Sequence, residues 1–570
     1  MNLFEHVAPW PLLSIIVFLP IAGAICVMFV PNTRPTVART LGVLFATVTF
    51  GITIYLGVVF DTDIGGFQWV ETHSWIPSLG VNYQLGIDGF SLFMVMLTGF
   101  LFPLMIIGSS HITKRVKHFI VFLLILEGVQ MGVFAATDMF LFFLFWELTL
   151  VPTYFLIGYW GGAQRKKAAV KFFIYTAVGS AFLLAAIVSA GLLVDGPVSF
   201  DYRAIFDTEY GMWAQRLLFW GFTIGFIFKV PVVPFHTWLP DAHTQAPTAG
   251  SADLAGVLLK IGAYGLIQFA VPLFPRAAVE AVPILLTLGV IGIIYTALVA
   301  IAQKDAKRLI AYSSIGHMGF VVMGIFAITT TALQGAVFQM LNHGIATAGL
   351  FFLIGFFYDR RHTHLIKEMG GLKNQMPIYA AAFLIVAFAS MGVPGLNSFV
   401  GEMLTLFGTF VVHRWWAIAA AVGIILVAVY MMLTYKKLFT GEITNPANKV
   451  LADLRPREIF VIAPIILVII GLGIYPKPVL DRIEASATRM IIRVEAATAN
   501  TPQQYIEPIE TASRRNVEFV AEILALIEVP EEDQEDLMRR YEERDKLERI
   551  ADAVAEGSEQ REAASRGGGH

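Results

Sequence analysis

The chain has 570 residues, 56% of them hydrophobic and 15% charged, with a formal net charge of −3. That composition excludes a soluble globular domain, and the net charge says little because the charged residues are segregated into loops and one end of the chain. The one cysteine, Cys26, lies in the first apolar run, so no internal disulfide and no cysteine-held iron–sulfur or zinc centre is expected.

The opening residues MNLFEHVAPWPLL lack the basic stretch and cleavage site of a secretory signal, and no Arg- and Ser-rich transit peptide is present, so a retained anchor helix is expected. Apolar runs of about 20 residues then recur, each long enough to cross ~30 Å of hydrocarbon. They predict an all-α polytopic membrane protein with about fourteen transmembrane helices. The first seven spans fall at 11–30, 38–60, 88–108, 118–134, 137–158, 170–194 and 216–231. The others fall at 249–271, 280–302, 307–326, 329–357, 378–411, 415–437 and 458–475.

The loops alternate in charge. Arg34, Arg39, Lys114, Arg115, Lys117, Arg165, Lys166 and Lys167 fall on one side, joined by Lys304, Lys307, Arg308, Arg360, Arg361, Lys367, Lys373, Lys436 and Lys437. The opposite loops, such as DTDIGGFQWVETHSW, are acidic and nearly free of lysine. Positive-inside reasoning puts the basic loops in the cytoplasm and both termini outside.

Span seven runs into PVVPFHTWLPDAH, and span twelve is interrupted by MGVPGLNSF. Proline and glycine at membrane depth are tolerated where the freed backbone faces protein or a wet cavity, and paired broken helices point to an ion path. The two breaks are five helices apart, and a five-helix unit repeated once must reappear upside down. Spans 4–8 and 9–13 are therefore expected to form two inverted five-helix repeats. The division that follows is 1–117, 118–271, 280–440, a last span in 441–480, and a charged extramembrane tail over 481–570. In the tail, Leu537, Tyr541, Leu547, Ile550 and Val554 have loosely helical spacing, which suits either a solvated appendage or a partner-binding helix.

Several ionisable residues lie within the spans, where a charge costs about 2.5–3.5 kcal/mol at the helix centre on insertion scales. Glu147 sits in MFLFFLFWELTLVP and needs either a local hydrogen bond as a neutral acid or a partner cation. Lys229, at the break after span seven, is the candidate cation, with Glu127 as a second carboxylate within reach. Lys260 is too central in its span to snorkel. His317 and His343 lie at matching depth in adjacent spans and titrate near neutrality, so they suit a relay better than either would alone. Ser313, Ser314, Asn342 and Thr347 are polar neighbours able to hold relay waters, and Glu402 follows the second break. His236, Asp241 and His243 invite a metal, but their spacing matches no strong zinc motif, and a loop that seals or feeds a channel is preferred. No phosphate-binding loop or hydrolase triad is found, and no nucleic-acid partner is expected.

At FWELTLVPTYFLIG, FKVPVVPFHTWLPDAHTQAPTAGS, DLAGVLLKIGAYG, QKDAKRLIAYSSIGHMGF, FQMLNHGIATAGLFFLIG and GVPGLNSFVGE the chain resembles the antiporter-like membrane subunits of respiratory complex I, the proton-pumping NADH:quinone oxidoreductase. The resemblance covers roughly residues 10–475. It implies fourteen helices with two inverted repeats and broken helices seven and twelve. It also implies an ion pair between Glu147 and Lys229, a central Lys260, connecting histidines His317 and His343, and Glu402 as the terminal proton-exchanging residue. Glutamate at this last position is the M-type choice, where sister subunits carry lysine.

The resemblance further implies neighbouring L- and N-type antiporter-like subunits, lipid and protons as partners. FMN, iron–sulfur clusters and quinone would belong to other subunits, with no cofactor or metal in this one. The expected location is the bacterial inner membrane. The competing readings are a subunit of a multisubunit Na+/H+ antiporter, or of a membrane-bound hydrogenase or ferredoxin-linked complex. A structural spacer is disfavoured by the buried charges.

Overall fold

The computed structural model describes residues 10–443 and 445–498; the tail stretch with helical spacing at 537–554 lies outside them. The chain begins with α1 (Leu12–Met28) and α2 (Pro35–Val59), followed by an antiparallel hairpin of β1 (Gln68–Ile76) and β2 (Val81–Ile87). Next come α3 (Gly89–Gly108), α4 (Val116–Ala135), α5 (Met139–Trp160), α6 (Arg165–Leu192) and α7 (Met212–Lys229). The second part holds α8 (Thr248–Leu273), α9 (Pro275–Ile301), α10 (Ala306–Phe326), α11 (Thr330–Arg361) and α12 (Pro377–Ser390). After α13 (Asn397–Phe439), α14 (Pro456–Ile474) and α15 (Lys477–Thr498) complete it. Among the described residues, 11 helices are long and apolar enough to cross a membrane.

Local chemistry sets the helix starts. Asp88, Asp138 and Asp305 stand just ahead of α3, α5 and α10 and accept first-turn backbone N–H groups that have no partner inside the helix. Proline opens α2, α9, α12 and α14, where its missing N–H costs nothing. α13 bends at His413, whose φ of −133° and ψ of 57° interrupt the helix.

Burial sorts the helices into an inner and an outer set. The apolar windows of α8 and α11 are wholly buried, while those of α2, α6, α13 and α14 are 28–39% buried and turn apolar side chains outward. That outward face suits lipid, since away from its ends a helix satisfies its own backbone polar groups.

Contacts also gather the basic loops at one end. Lys117 reaches the Met28 carbonyl, Arg39 reaches Ser110 O, and Trp160 donates to Lys114 O. Gly162 N bonds Gln245 O, Lys307 bonds Ala246 O, Ile366 N bonds Lys304 O, and Lys373 N bonds Phe439 O. The β-hairpin and α15 lie at the opposite end. There Arg482 donates to Gly57 O, Gly89 N to the Ser486 hydroxyl, and Arg493 to Phe206 O.

Two elements differ from the sequence expectation. The acidic loop after α2 holds the hairpin, whose pairing shifts register between Gln68 and Glu71 and again between Ser74 and Ile76; the irregularity hides the two-residue period of a strand. The expected tail start at 481 falls inside α15. That helix buries Val479, Ile483, Ala487, Met490 and Val494 on one face and exposes charge on the other, so average hydropathy passes over it.

Candidate functional site

Lys229 is the last residue of α7 and 1% exposed. Its ammonium donates to Thr149 Oγ1 at 2.9 Å and stands 3.8 Å from the centre of the Trp146 ring. Both partners belong to α5, the helix of Glu147. A desolvated cation over an indole face gains on the order of 2 kcal/mol, and a hydrogen bond from a charged group about 1.5–3 kcal/mol, which together offset much of the cost of burial. The direct ion pair with Glu147 is not made within 4.0 Å. Glu147 acts on the ammonium at longer range, together with Asp253 of α8.

Asp253 is buried and accepts from Gln130 Nε2 at 2.8 Å. Glu127 lies one turn before Gln130 on α4, fully buried, with no protein partner on either oxygen. Asp253 is a further buried carboxylate that acts on Lys229, one the sequence reading does not name.

The other four residues form one series. α8 is widened by π-helical turns at Leu254–Leu258 and Leu266–Ala270, and Lys260 sits between them. A π turn offsets the carbonyl ladder, and Lys260 Nζ donates to the Ala255 carbonyl, five residues back. The same ammonium lies 2.6 Å from His343 Nδ1 on α11. The His343 ring is 5.6 Å from that of His317 on α10, and His317 Nδ1 is 2.8 Å from Glu402 Oε1 on α13. Gln339 Nε2 also donates to that oxygen, at 2.9 Å. All four titratable residues are at most 2% exposed.

The backbones permit this closeness. A Cβ on Gly335 would stand 2.4 Å from Thr405 N, so only glycine lets α11 approach α13 this tightly. Among the expected polar neighbours, Ser313 bonds the Tyr430 hydroxyl at 2.6 Å and Asn342 donates to Asn397 O at 2.8 Å. Lys229 ends the helix before its break, whereas Glu402 follows its own, so the two are not at like positions relative to the interruptions.

His236, Asp241 and His243 have separate partners. His236 packs edge-on to Tyr295, His243 stacks on Phe351, and Asp241 pairs with Lys171 at 2.7 Å and Arg308 at 3.5 Å. Among the described residues, no group of three or more His, Cys, Asp or Glu side chains is arranged to hold a metal.

Trp146, Thr149, Gln130, Asp253, Gln339 and Tyr430 join the site without having been singled out by sequence. Most are neutral and cost little in a span, so they leave no signal in composition. Asp253 does leave one: it is a carboxylate seven residues before Lys260 on the same helix.

The chain is a multi-pass helical membrane protein with a buried titratable row across its inner helices, and its family matches place it in the antiporter-like class. Residues 136–427 match the family model described as NADH:quinone oxidoreductase/Mrp antiporter, TM, and residues 16–131 match NADH-ubiquinone oxidoreductase chain 4, amino terminus. The NADH-quinone oxidoreductase subunit M of Rickettsia prowazekii is 43% identical over 85% of this chain and 99% of its own length. Subunit M of Rhodobacter capsulatus is 43% identical over 84% and 96%, and NADH-ubiquinone oxidoreductase chain 4 of Arabidopsis thaliana 39% identical over 84% and 97%. A chain of respiratory complex I from Thermus thermophilus superposes with a TM-score of 0.77 at 30% identity, over 84% of this chain and 99% of that one. The Mrp complex from Dietzia shares the fold alone, at a TM-score of 0.70 and 19% identity over 92% of this chain and 61% of that one. The chain belongs to the subunit M (chain 4) family of NADH-quinone oxidoreductase.

Proposed function

We propose that this chain is a proton-translocating membrane-arm subunit of NADH:quinone oxidoreductase, moving protons while electrons pass from NADH to quinone in other subunits. The observation that carries the reading is the series Lys260–His343–His317–Glu402, enclosed by protein, with polar contacts at its two ends and facing histidine rings 5.6 Å apart in its middle. The first and last steps are proton exchanges between atoms in contact, and the middle one needs a water to join the facing histidine rings, whose Nε2 atoms have no protein partner. The Lys260 ammonium gives a proton to His343; His343 passes one to His317; the His317 imidazolium gives it to the Glu402 carboxylate. Lys229, held by Trp146 and Thr149, is the upstream control. A change in the charge balance among Glu147, Asp253 and Lys229 alters the field at Lys260, which shares α8 with Asp253. A tenfold bias in one transfer takes about 1.4 kcal/mol, within reach of one moved charge in a low-dielectric interior.

Fourteen crossings in two inverted repeats suit this reading. The bend at His413 divides α13, its first part continues α12 across a break, and the two breaks at 230–237 and 391–396 then lie five spans apart. Basic loops at one end favour that end in the cytoplasm and both termini outside, in a bacterial inner membrane. Neighbouring L- and N-type subunits are the partners, and FMN, iron–sulfur clusters and quinone reside in other chains.

The test is Lys229→Ala or Glu402→Ala in the assembled complex. NADH-driven proton pumping collapses while electron transfer from NADH to an artificial acceptor in the hydrophilic arm survives. Undiminished pumping in both variants contradicts the assignment.

A further inference from the structure

After Lys229 the chain leaves α7 and re-enters a short helix, Trp238–Gln245. The break strips the Phe228 carbonyl of its usual donors: Pro231 has no N–H, and Val232 N bonds Ile227 O instead. The indole N–H of Trp238, a wholly buried residue, takes their place at 2.9 Å. The short helix thereby holds the carbonyl next to Lys229.

Both flanks of this helix are tied. Asp241, one turn after Trp238, has Oδ2 2.7 Å from Lys171 Nζ of α6 and Oδ1 3.5 Å from Arg308 Nη2 of α10. Lys171 also donates to Thr237 O at 2.7 Å, and the Tyr175 and Thr237 hydroxyls meet at 2.7 Å. At the far end, Gln245 accepts from Gly162 N and Gln164 N, both at 2.8 Å, and Lys307 donates to Ala246 O. Residues 162–164 and α6 continue from α5, the helix of Trp146 and Thr149, while α10 carries His317. The Lys171, Asp241 and Arg308 side chains are 29–40% exposed. Pairs so exposed contribute about 0.2–1 kcal/mol each. That is too little to decide whether the bundle folds, and enough to decide where a short helix after a break comes to rest.

We propose that the short helix is a latch and that Asp241 is its positioning residue. By holding Lys171 of α6 and Arg308 of α10, Asp241 keeps Trp238 on the Phe228 carbonyl. It so sets the end of α7 from which the Lys229 ammonium reaches Thr149 and the Trp146 ring. This rests on Lys229 being the control point of proton movement. Without the carboxylate, Lys171 and Arg308 repel each other across the place it filled, and the short helix shifts with the end of α7.

The experiment uses Asp241→Ala in the assembled complex. NADH-driven pumping is expected to fall several-fold, with NADH oxidation by a hydrophilic-arm acceptor and the thermal midpoint close to wild type. Cryo-electron microscopy of the same complex should show the Lys229 ammonium moved by about 1 Å or more from Thr149, a misplacement large enough to slow a positioned reaction strongly. Trp238→Phe, which drops only the N–H donor and part of the ring, acts through the same link. Pumping in the double variant should therefore be no lower than in the worse single one. If Asp241→Ala does not assemble, Asp241→Asn is read in the same way. Lys229 unmoved, or losses that multiply in the double variant, overturn the proposal. The position of Lys229 is read whether or not protons move, so this outcome is independent of whether Lys229→Ala stops pumping.

Discussion

At the scale of single residues, the buried titratable groups were legible because each is costly where it stands. Lys229, Lys260, His317, His343 and Glu402 prove to be enclosed, and four of them line up as two polar contacts joined by facing histidine rings. Glu147 is less deeply buried, and its relation to Lys229 runs through Trp146 and Thr149, which carry no formal charge and gave no warning in the sequence.

A pH effect belongs at this scale too. Burial pushes the Asp138 carboxyl up to about 6, against the backbone N–H bonds it accepts from Asn82, Leu141 and Phe140. The folded protein therefore binds this proton more tightly than the unfolded chain. Stability from this group is greatest at low pH, declines as pH rises from about 4 to about 6, and is level above that. Asparagine does not titrate, so the thermal midpoint of wild type minus that of Asp138→Asn should fall as pH rises from about 4 to about 6. A difference that stays flat or rises contradicts the assignment.

At the scale of elements, apolar length found the long helices, 11 of which among the described residues can cross a membrane, and the Pro-Gly clusters mark where the chain leaves the helix after Lys229 and Ser390. The hairpin and α15 escaped, one for its irregular register and the other because half its surface is charged. Close approach of helices is equally invisible in sequence. Gly335 lets α11 meet α13 and so sets the distance from Gln339 to Glu402. Gly335→Leu must push α13 away, since its Cβ alone would stand 2.4 Å from Thr405 N. Overpacking of this kind costs about 1–3 kcal/mol. We expect an assembled but less heat-stable complex, with NADH-driven pumping reduced more than NADH oxidation by a hydrophilic-arm acceptor. Equal losses of both would mean that the α11–α13 contact has no particular bearing on proton movement.

At the scale of the molecule, the innermost helices hold the row and the outer ones present apolar surface. Family membership follows from similarity over nearly the whole length of its relatives, and the row is the feature on which the proposed proton route rests. The most direct measurement concerns Lys260, the member that joins the α8 helix to the histidines. In vesicles holding the assembled complex with Lys260→Met, NADH oxidation by a hydrophilic-arm acceptor should proceed at the wild-type rate while NADH-driven acidification is lost. Acidification at the wild-type rate would contradict a proton route through this row.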